Sequence, residues 1–348
     1  MLLDPDTFEL VPRAPELLGR IGDDHRYKLE LPAAQLEIVT QPDSDLEEVG
    51  RQLGSARRDL AAIADGLARP ACAGVHPSSC GAGELNRSSR YVQAIEEYGS
   101  VARRQLVCAL QVHVSLGDSS VALPVYNAAR SFLPLLAAVA ANAPFYEGRD
   151  TGLASVRPKL AELLPRQGVP PPLGSWEEYA EALRWGASSR TFKTRSWWWE
   201  LRPHPRYGTL EFRVPDAQST VSDALAVAAL VRCLVAWLAR RASEHEFPHV
   251  APTWRIEENR WSACRHGMAG DMVDLRTGER RPTREHLAEL VQSVEPLARE
   301  LRCSPQLASV RRLAEENGAA KQRGVAGEQG VAGVARWLAA RFLDAEDG

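Results

Sequence analysis

Three short stretches of the sequence place chemically capable side chains at every second position. Glu211 and Arg213 alternate with apolar residues in TLEFRV, Gln111 and His113 do so in ALQVHVSLGD, and Glu37 does so in AAQLEIVTQP. Side chains two positions apart on a β-strand lie on the same face. Carboxylates bind metal ions, and a guanidinium binds phosphate. Three neighbouring strands of this kind would form one polar sheet surface; the alternative for each strand alone is a solvated face of an antiparallel sheet.

The elements that must position these side chains are predicted to form an antiparallel α+β fold. Apolar residues occupy one face of each predicted strand, and the strands alternate irregularly with helices, unlike a parallel doubly wound sheet. Residues 197–214 are predicted to pair as two strands through the turn HPRYG. A long amphipathic helix is predicted over residues 43–67, capped by Asp43 or Ser44, and a buried helix over residues 221–242.

Composition limits the classes of protein that fit this sequence. The chain has 348 residues, of which 45% are hydrophobic and 25% charged, as in a globular protein with one large domain or two smaller ones. The formal net charge of −3 argues against binding to nucleic acid, which requires a basic surface. The most apolar run, SFLPLLAAVAANAPF, is interrupted by Pro134 and Pro144 and is shorter than a membrane helix, so we expect no membrane association.

Sequence motifs give further limits on the cellular location and on how a metal ion or a nucleotide could bind. The N-terminus has no signal-peptide pattern and the six cysteines include no CxxC pair, so reduced thiols and a cytoplasmic location are expected. Cys72, His76 and Cys80 lack a fourth zinc ligand, and incidental cysteines are favoured over a metal site. Neither GxxxxGKS/T nor GxGxxG occurs. A nucleotide would therefore have to be held by metal ions and by side chains of the sheet.

Seven sequence blocks together resemble the carboxylate–amine ligase family, which comprises bacterial relatives of glutamate–cysteine ligase. The blocks occur in the family's order over nearly the whole chain: QLEIVTQP, GVHP, EEYGSVARRQLVCALQVHV, AANAPFYEGRDTGLASVR, SWWWELRPHPRYGTLEFRVPDAQ, ENRWSACRHG and NGAAKQR. The resemblance implies the fold of the glutamine synthetase and guanido kinase superfamily, a curved antiparallel sheet backed by helices. It also implies a single ligase domain over residues 1–348.

This resemblance implies an ATP-dependent ligase that joins a carboxylate to an amine. The carboxylate, for which the γ-carboxylate of glutamate is one candidate, attacks the γ-phosphate of ATP to give an acyl phosphate and ADP. An amine such as that of cysteine then displaces phosphate. ATP and Mg²⁺ are the implied cofactors, the partners are small-molecule substrates, and a homo-oligomer is left open. The alternative is a degenerate, non-catalytic homologue that keeps the fold and nucleotide binding.

The resemblance also implies roles for the charged residues of the predicted sheet. Glu37 and Glu211 are the expected Mg²⁺ ligands, because Mg²⁺ prefers carboxylate oxygens supplemented by phosphate and water. Arg213 and Arg202 are the expected catalytic cations, and they would bind the phosphates or the substrate carboxylate. Since Glu211 is expected to resemble a surface carboxylate, Glu211→Gln should abolish ADP formation without affecting the fold.

Five further residues are candidates for contacts with nucleotide or substrate. Gln111 and His113 are expected beside the nucleotide, and Gln111 stands where relatives often have His, so a hydrogen bond is favoured over metal ligation by its amide. Asn142 and Arg157 are candidates for recognition of the carboxylate substrate; the alternative is a helix end and a loop salt bridge. Arg260 is a substrate candidate within the basic cluster of ENRWSACRHG, with a helix surface as the alternative.

One departure from the family pattern lies at the N-terminus. The family normally has a strand reading Gly-x-Glu-Glu-Glu-Phe before the segment that begins here as LLDPDTFELVP. That strand supplies two acidic groups to the metal site. We therefore expect either a misassigned start codon, which is favoured, or a truncated chain with an incomplete site and very weak ligase activity. In the second case, Glu30 is the first internal substitute to test.

Overall fold

The computed structural model describes residues 1–189, 197–246 and 249–344 and shows a mixed α+β fold. Ser196, in the block SWWWELRPHPRYGTLEFRVPDAQ, and residues 345–348 of the predicted domain lie outside the described residues. The helices are α1 Ala14–Ile21, α2 Leu46–Ala64, α3 Ser89–Tyr98, α4 Ser119–Ala129, α5 Leu133–Val139, α6 Arg157–Ala161, α7 Trp176–Ala187, α8 Val221–Ser243, α9 Thr253–His266, α10 Thr283–Glu300, α11 Ser304–Glu315 and α12 Gly318–Arg341. The strands are β1 Leu2–Leu3, β2 Tyr27–Leu29, β3 Leu36–Ile38, β4 Arg69–Pro70, β5 Val112–Ser115, β6 Phe145–Tyr146, β7 Arg149–Asp150, β8 Leu201–His204, β9 Thr209–Phe212, β10 Asp271–Val273 and β11 Arg280–Pro282.

The largest described sheet has three antiparallel strands in the order β5-β9-β8. The remaining described strands pair two by two, as β1–β4, β2–β3, β6–β7 and β10–β11. Gly208 closes the turn between β8 and β9 with a φ of 62°, a left-handed conformation that glycine adopts without strain. The predicted pairing of two strands through HPRYG is thus confirmed. The polar side chains form two cross-strand rows, His113–Glu211–Arg202 and Ser115–Thr209–His204.

The strand that carries Glu37 does not belong to this sheet. Within the described residues β3 pairs with β2 alone, and Glu37 lies opposite Lys28. The prediction that Glu37 shares one sheet with β5 and β9 is therefore wrong. Between β3 and β5 in the sequence, β4 pairs with β1, with Pro70 opposite Leu2. Val75 and Val107 form one isolated bridge.

The opposite face of the three-stranded sheet forms part of the hydrophobic core. Leu201, Leu210 and Phe212 are buried, and Val112 and Val114 pack against the same cluster of apolar side chains. Helix α8 contacts β5 and contributes much of that cluster. Burial of apolar surface stabilises by about 25 cal/mol per Å². This burial holds the sheet on one side and leaves its polar rows on the other.

Two apolar segments are longer than the sequence analysis expected. Residues 119–139 and the 23-residue helix α8 are long and apolar enough to cross a membrane by length and composition, so the expectation of no such run is wrong. In both segments 61% of the most apolar 18-residue stretch is buried inside the protein. Helix α8 packs against α4, α10 and α11. A core helix shows the same burial. Length and composition are therefore weak evidence for a membrane span here.

The start of α2 differs from its prediction by one or two residues. Asp45 caps the helix by accepting a hydrogen bond from the Glu47 backbone N–H at 2.9 Å, whereas Asp43 or Ser44 was predicted. The Asp43 carboxylate instead accepts a hydrogen bond from the Asp45 backbone N–H at 2.7 Å and so holds the turn before the cap. The helix predicted over residues 43–67 is observed as α2.

We expect Thr220→Ala to lower the free energy of unfolding by about 1 kcal/mol, the usual cost of removing an N-cap side chain. Thr220 is fully buried, and its Oγ1 accepts a hydrogen bond from the Asp223 backbone N–H at 3.1 Å at the start of α8. Thr220→Ser keeps the hydroxyl and is the matched control. Urea denaturation of the three proteins measures the difference. Equal stability of Thr220→Ala and wild type would contradict the capping role.

Candidate active site

Glu211 lies at the centre of the polar face and is paired with two arginines. Its side chain is only 1% exposed. The Nε of Arg202 donates a hydrogen bond to Glu211 Oε2 at 2.6 Å, and the Nη1 of Arg213 donates to Oε1. One carboxylate thus faces two guanidinium groups, and the three side chains carry a net charge of one positive unit. Guanidinium groups in such a setting bind phosphate or carboxylate oxygens.

Gln111 joins this charged group just before β5. Its amide orientation follows from the neighbouring hydrogen-bonding groups. In the orientation that satisfies both neighbours, the nitrogen donates to Glu211 Oε1 at 3.3 Å and the oxygen accepts from Arg213 Nη1 at 3.2 Å. The amide therefore contacts both a carboxylate and a guanidinium of the site.

His113 lies on the same face, across the sheet from Glu211. Its Nδ1 is hydrogen-bonded to Thr209 Oγ1 at 3.0 Å, and its Nε2 lies 3.9 Å from Glu211 Oε2. Partial burial lowers the pKa of His113 below its ordinary value of 6.5, and the opposing effect of Glu211 is smaller. The imidazole is therefore neutral at pH 7.

Glu211 differs from the surface carboxylate that the sequence analysis expected. Burial by itself would raise the pKa of Glu211, but Arg213 and Arg202 outweigh burial and lower the pKa to about 2. The carboxylate is ionised throughout the physiological range. The expectation of a surface carboxylate is therefore wrong. We now expect Glu211→Gln to destabilise the protein, because the substitution would leave two partly buried guanidinium groups without their anion.

The described residues do not form a site for Mg²⁺. Within the described ranges no group of three or more His, Cys, Asp or Glu side chains is arranged to hold a metal ion. Both carboxylate oxygens of Glu211 accept hydrogen bonds from guanidinium groups, and Glu37 lies in a separate sheet. The predicted Mg²⁺ ligands therefore do not fit the ion in this conformation. A metal ion at Glu211 would have to share its carboxylate with both guanidinium groups.

Asn142 and Arg157 belong to one buried network of hydrogen bonds. The side chain of Asn142 donates to Ala217 O at 2.8 Å and accepts from Gln322 Nε2 at 2.7 Å. The Nε of Arg157 donates to Asp216 Oδ1 at 2.6 Å, and Asp216 Oδ2 accepts from the Asn142 backbone N–H at 2.7 Å. Both side chains are used internally in this conformation. These contacts favour the alternative, a buried helix end and ion pair, over substrate recognition.

Arg260 is also buried, so the alternative of a helix surface is wrong for it. Its guanidinium forms ion pairs with Glu200 at 2.7 Å, Glu162 at 2.5 Å and Glu257 at 3.2 Å. Burial alone would lower the pKa of Arg260, but Glu200 outweighs burial and the pKa is raised. The predicted contact with substrate would compete with three carboxylates that already surround this cation.

Sequence reasoning missed an aromatic part of the site. The rings of His204 and Tyr207 are stacked, with centroids 4.3 Å apart and planes 10° apart. The ring of His113 meets both edge-on, at centroid distances of 5.4 Å and 5.8 Å. We call these three rings the aromatic ledge. The alternation ELRPH, which places His204 on the face of Arg202, is the signal that could have found it.

Solved structures share this fold. The crystal structure of a glutamate–cysteine ligase from Francisella tularensis in complex with AMP matches with a TM-score of 0.63 at 12% identity, over 92% of this chain and 82% of that chain. A bifunctional glutathione synthetase from Pasteurella multocida matches with a TM-score of 0.66 at 14% identity, over 91% of this chain and 48% of that chain. Identities this low establish the fold alone.

Sequence comparison identifies the family. A sequence model described as "Glutamate-cysteine ligase family 2(GCS2)" matches residues 4–332. A Rubrobacter xylanophilus protein named "Putative glutamate--cysteine ligase 2-3" is 37% identical over 320 residues, which cover 90% of this chain and 86% of the relative. A Gloeobacter violaceus protein named "Putative glutamate--cysteine ligase 2" is 34% identical over 327 residues, which cover 91% and 88%.

These similarities show that the protein is an ATP-dependent carboxylate–amine ligase. The chain belongs to glutamate–cysteine ligase family 2. The resemblance on which the sequence analysis rested is therefore confirmed, as is the mixed α+β fold.

We expect Glu211→Gln to destabilise the protein in a pH-dependent way. The pKa of Glu211 is about 2 in the folded protein against an ordinary value of 4.5. A lowered pKa contributes stability that is complete above pH 4.5 and is lost as the pH falls towards 2; this difference corresponds to about 3 kcal/mol. Urea denaturation should show the largest gap between wild type and variant above pH 5.

The matched control for Glu211→Gln is Glu300→Gln, which removes the carboxylate of an exposed ion pair with Arg240. This substitution should change stability little at any pH, because water screens exposed pairs. A gap between wild type and Glu211→Gln that stays constant from pH 6 to pH 3 would contradict the ion-pair explanation.

We expect Arg260→Met to reduce the free energy of unfolding by about 3–5 kcal/mol, because it leaves the buried Glu200 without a cation. Arg58→Met replaces an exposed arginine on α2 and should be nearly neutral. Thermal and urea denaturation measure both variants. Unchanged stability of Arg260→Met together with a raised KM for an amino acid would instead support the predicted substrate contact.

Proposed function

We propose that this protein uses ATP to join the γ-carboxylate of glutamate to the amine of cysteine. The observation that supports the proposal is the buried Glu211, which holds two arginines on the polar face of the sheet in a chain of this ligase family. The choice of glutamate and cysteine rests on the names of the relatives from Rubrobacter and Gloeobacter. All six cysteines are free, which agrees with a cytoplasmic enzyme.

The proposed reaction has two steps. In the first, a carboxylate oxygen of glutamate bonds to the γ-phosphorus of ATP, the bond to the oxygen bridging the β- and γ-phosphorus breaks, and ADP leaves. In the second, the amine nitrogen of cysteine bonds to the acyl carbon, inorganic phosphate leaves, and the nitrogen loses a proton. Phosphoryl transfer requires little covalent chemistry from a protein, so catalysis depends on positioning and charge.

Arg213 is proposed to bind the transferred phosphoryl group. It is more exposed than Arg202, at 20% against 13% of the side chain, and its described contacts with Glu211 and Gln111 use one nitrogen, Nη1. A guanidinium has five N–H donors, so donors remain for phosphate oxygens. Arg202 is fixed through Glu211 and through Trp197 O at 2.9 Å, and it adds positive charge behind Arg213.

The remaining polar residues have supporting roles in this proposal. Gln111 orients Arg213 against Glu211, and the neutral His113 borders the nucleotide. Asn142, Arg157 and Arg260 hold the framework through their buried contacts. No step is assigned to Mg²⁺, since the described carboxylates do not fit it in this conformation.

We expect the purified full chain to convert ATP to ADP continuously only when both an acid and an amine substrate are present, because the amine must consume the acyl phosphate before the next turnover. Arg213→Ala should lower kcat/KM by about 10²- to 10³-fold, because one charge stabiliser of the transition state is removed. Arg58→Ala, on the exposed face of α2, is the matched control and should retain activity. Hydroxylamine in place of the amine should capture the acyl phosphate as a hydroxamate.

A panel of acids and amines in the same assay tests the choice of substrates. Activity with a different pair would keep the mechanism and replace the proposed substrates. Wild-type turnover by Arg213→Ala would refute the role of Arg213. ATP binding without ADP release or hydroxamate formation for any pair would support the degenerate, non-catalytic homologue instead.

A further inference from the structure

The aromatic ledge of His113, His204 and Tyr207 is not explained by packing of the core. His113 and His204 belong to the polar rows of the sheet, on the face opposite to Leu201 and Leu210. Tyr207, in the turn between β8 and β9, is 55% exposed. A stacked pair of rings with one ring open to solvent offers a flat apolar surface, edged by polar groups, to a ligand.

Stacking, not hydrogen bonding, fixes the ring of His204. Its Nδ1 is buried and has no hydrogen-bond partner in the described structure. Its ring is instead held between Tyr207, at 4.3 Å and nearly parallel, and His113, at 5.4 Å and edge-on. His113 is in turn fixed by the hydrogen bond with Thr209. The ledge is therefore ordered by contacts within the site itself.

Burial lowers the pKa of both His113 and His204 below the ordinary value of 6.5, so both rings are neutral at pH 7. The Cζ of Arg206 lies over the Tyr207 ring, 5.8 Å from its centre, and adds a positive charge next to the ledge. A neutral aromatic surface bordered by a cation suits a flat, electron-rich ring that is joined to negatively charged groups.

The position of the ledge relative to Arg213 matches the shape of a nucleotide. Thr209, beside the ledge, and Arg213 are four residues apart along β9 and its extension, a distance of about 13 Å at 3.3 Å per residue. The stacked rings of His204 and Tyr207 thus lie at one end of the polar face and Arg213 at the other, with His113 and Arg202 in the row between them. A molecule with an aromatic base at one end and phosphates at the other can reach both.

We propose that the aromatic ledge binds the purine base of the nucleoside triphosphate by stacking, with Tyr207 in contact with the base and His204 and His113 supporting it. This inference rests on the proposed function, which places the phosphates at Arg213. Stacking on an aromatic ring is tolerant of the base, because every base has a π-face. The ledge therefore recognises the base as a flat ring and leaves discrimination between adenine and guanine to other contacts.

The test compares ATP with inorganic tripolyphosphate, which has the phosphates without the base. Calorimetry on the full chain should show that Tyr207→Ala weakens ATP binding about tenfold and leaves tripolyphosphate binding unchanged. Tyr207→Phe keeps the ring and should bind ATP as the wild type does. Trp254→Ala is the matched control, because it removes another exposed aromatic ring, 69% exposed, on α9. Arg213→Ala should weaken both ligands.

The outcomes separate this inference from the proposed function. Unchanged ATP affinity in Tyr207→Ala, with loss of both ligands in Arg213→Ala, would overturn the ledge and keep the phosphate site. Equal losses of ATP and tripolyphosphate in Tyr207→Ala, at an unchanged melting temperature, would also overturn it, since the ring would then act on the phosphates. If neither ATP nor tripolyphosphate binds the wild-type protein, the proposed site itself is refuted. The same holds if Arg213→Ala leaves the affinity for both ligands unchanged.

Discussion

The ion pairs of Glu211 with Arg202 and Arg213 are the interaction on which the rest of the site depends. Burying a carboxylate is costly unless partners compensate for its lost hydration, and here two guanidinium groups do so. Because Arg202 and Glu211 come from adjacent strands, their contact requires the observed register of β8 and β9. A shift by one residue would exchange the polar and apolar faces of the strand. The register is held in turn by Leu201, Leu210 and Phe212, which are buried beneath the sheet.

Local alternation predicted the polar face of β5 and β9 because a two-residue period is visible in any short stretch of sequence. The same alternation could not identify the partner of each strand. Glu37 has the correct period, yet β3 pairs with β2 in a separate hairpin. Pairing depends on contacts between segments that are distant in the sequence, such as the bridge between Pro32 and Leu85. The pattern therefore established which residues share a face, and only the structure established which faces meet.

The buried arginines show a second limit of sequence reasoning. Arg157 pairs with Asp216, 59 positions away, and Arg260 pairs with Glu200, 60 positions away. Nothing local to either arginine distinguishes a cation that binds a ligand from a cation that holds the framework. The aromatic ledge was missed for a related reason, since His113 meets His204 and Tyr207 only after distant strands have paired. Long-range partners decide these roles.

The hairpin of β8 and β9 also bears on how the site assembles as the chain folds. Arg202 and Glu211 are nine positions apart, and Glu211 and Arg213 are two apart. Closing so short a loop loses little chain entropy, whereas the contact of His113 with Thr209 spans 96 positions. Contacts of low sequence separation form fast, and those of high separation form slowly. The cationic group and the His204–Tyr207 stack can thus form within one hairpin, whereas His113 joins them only when the tertiary fold forms.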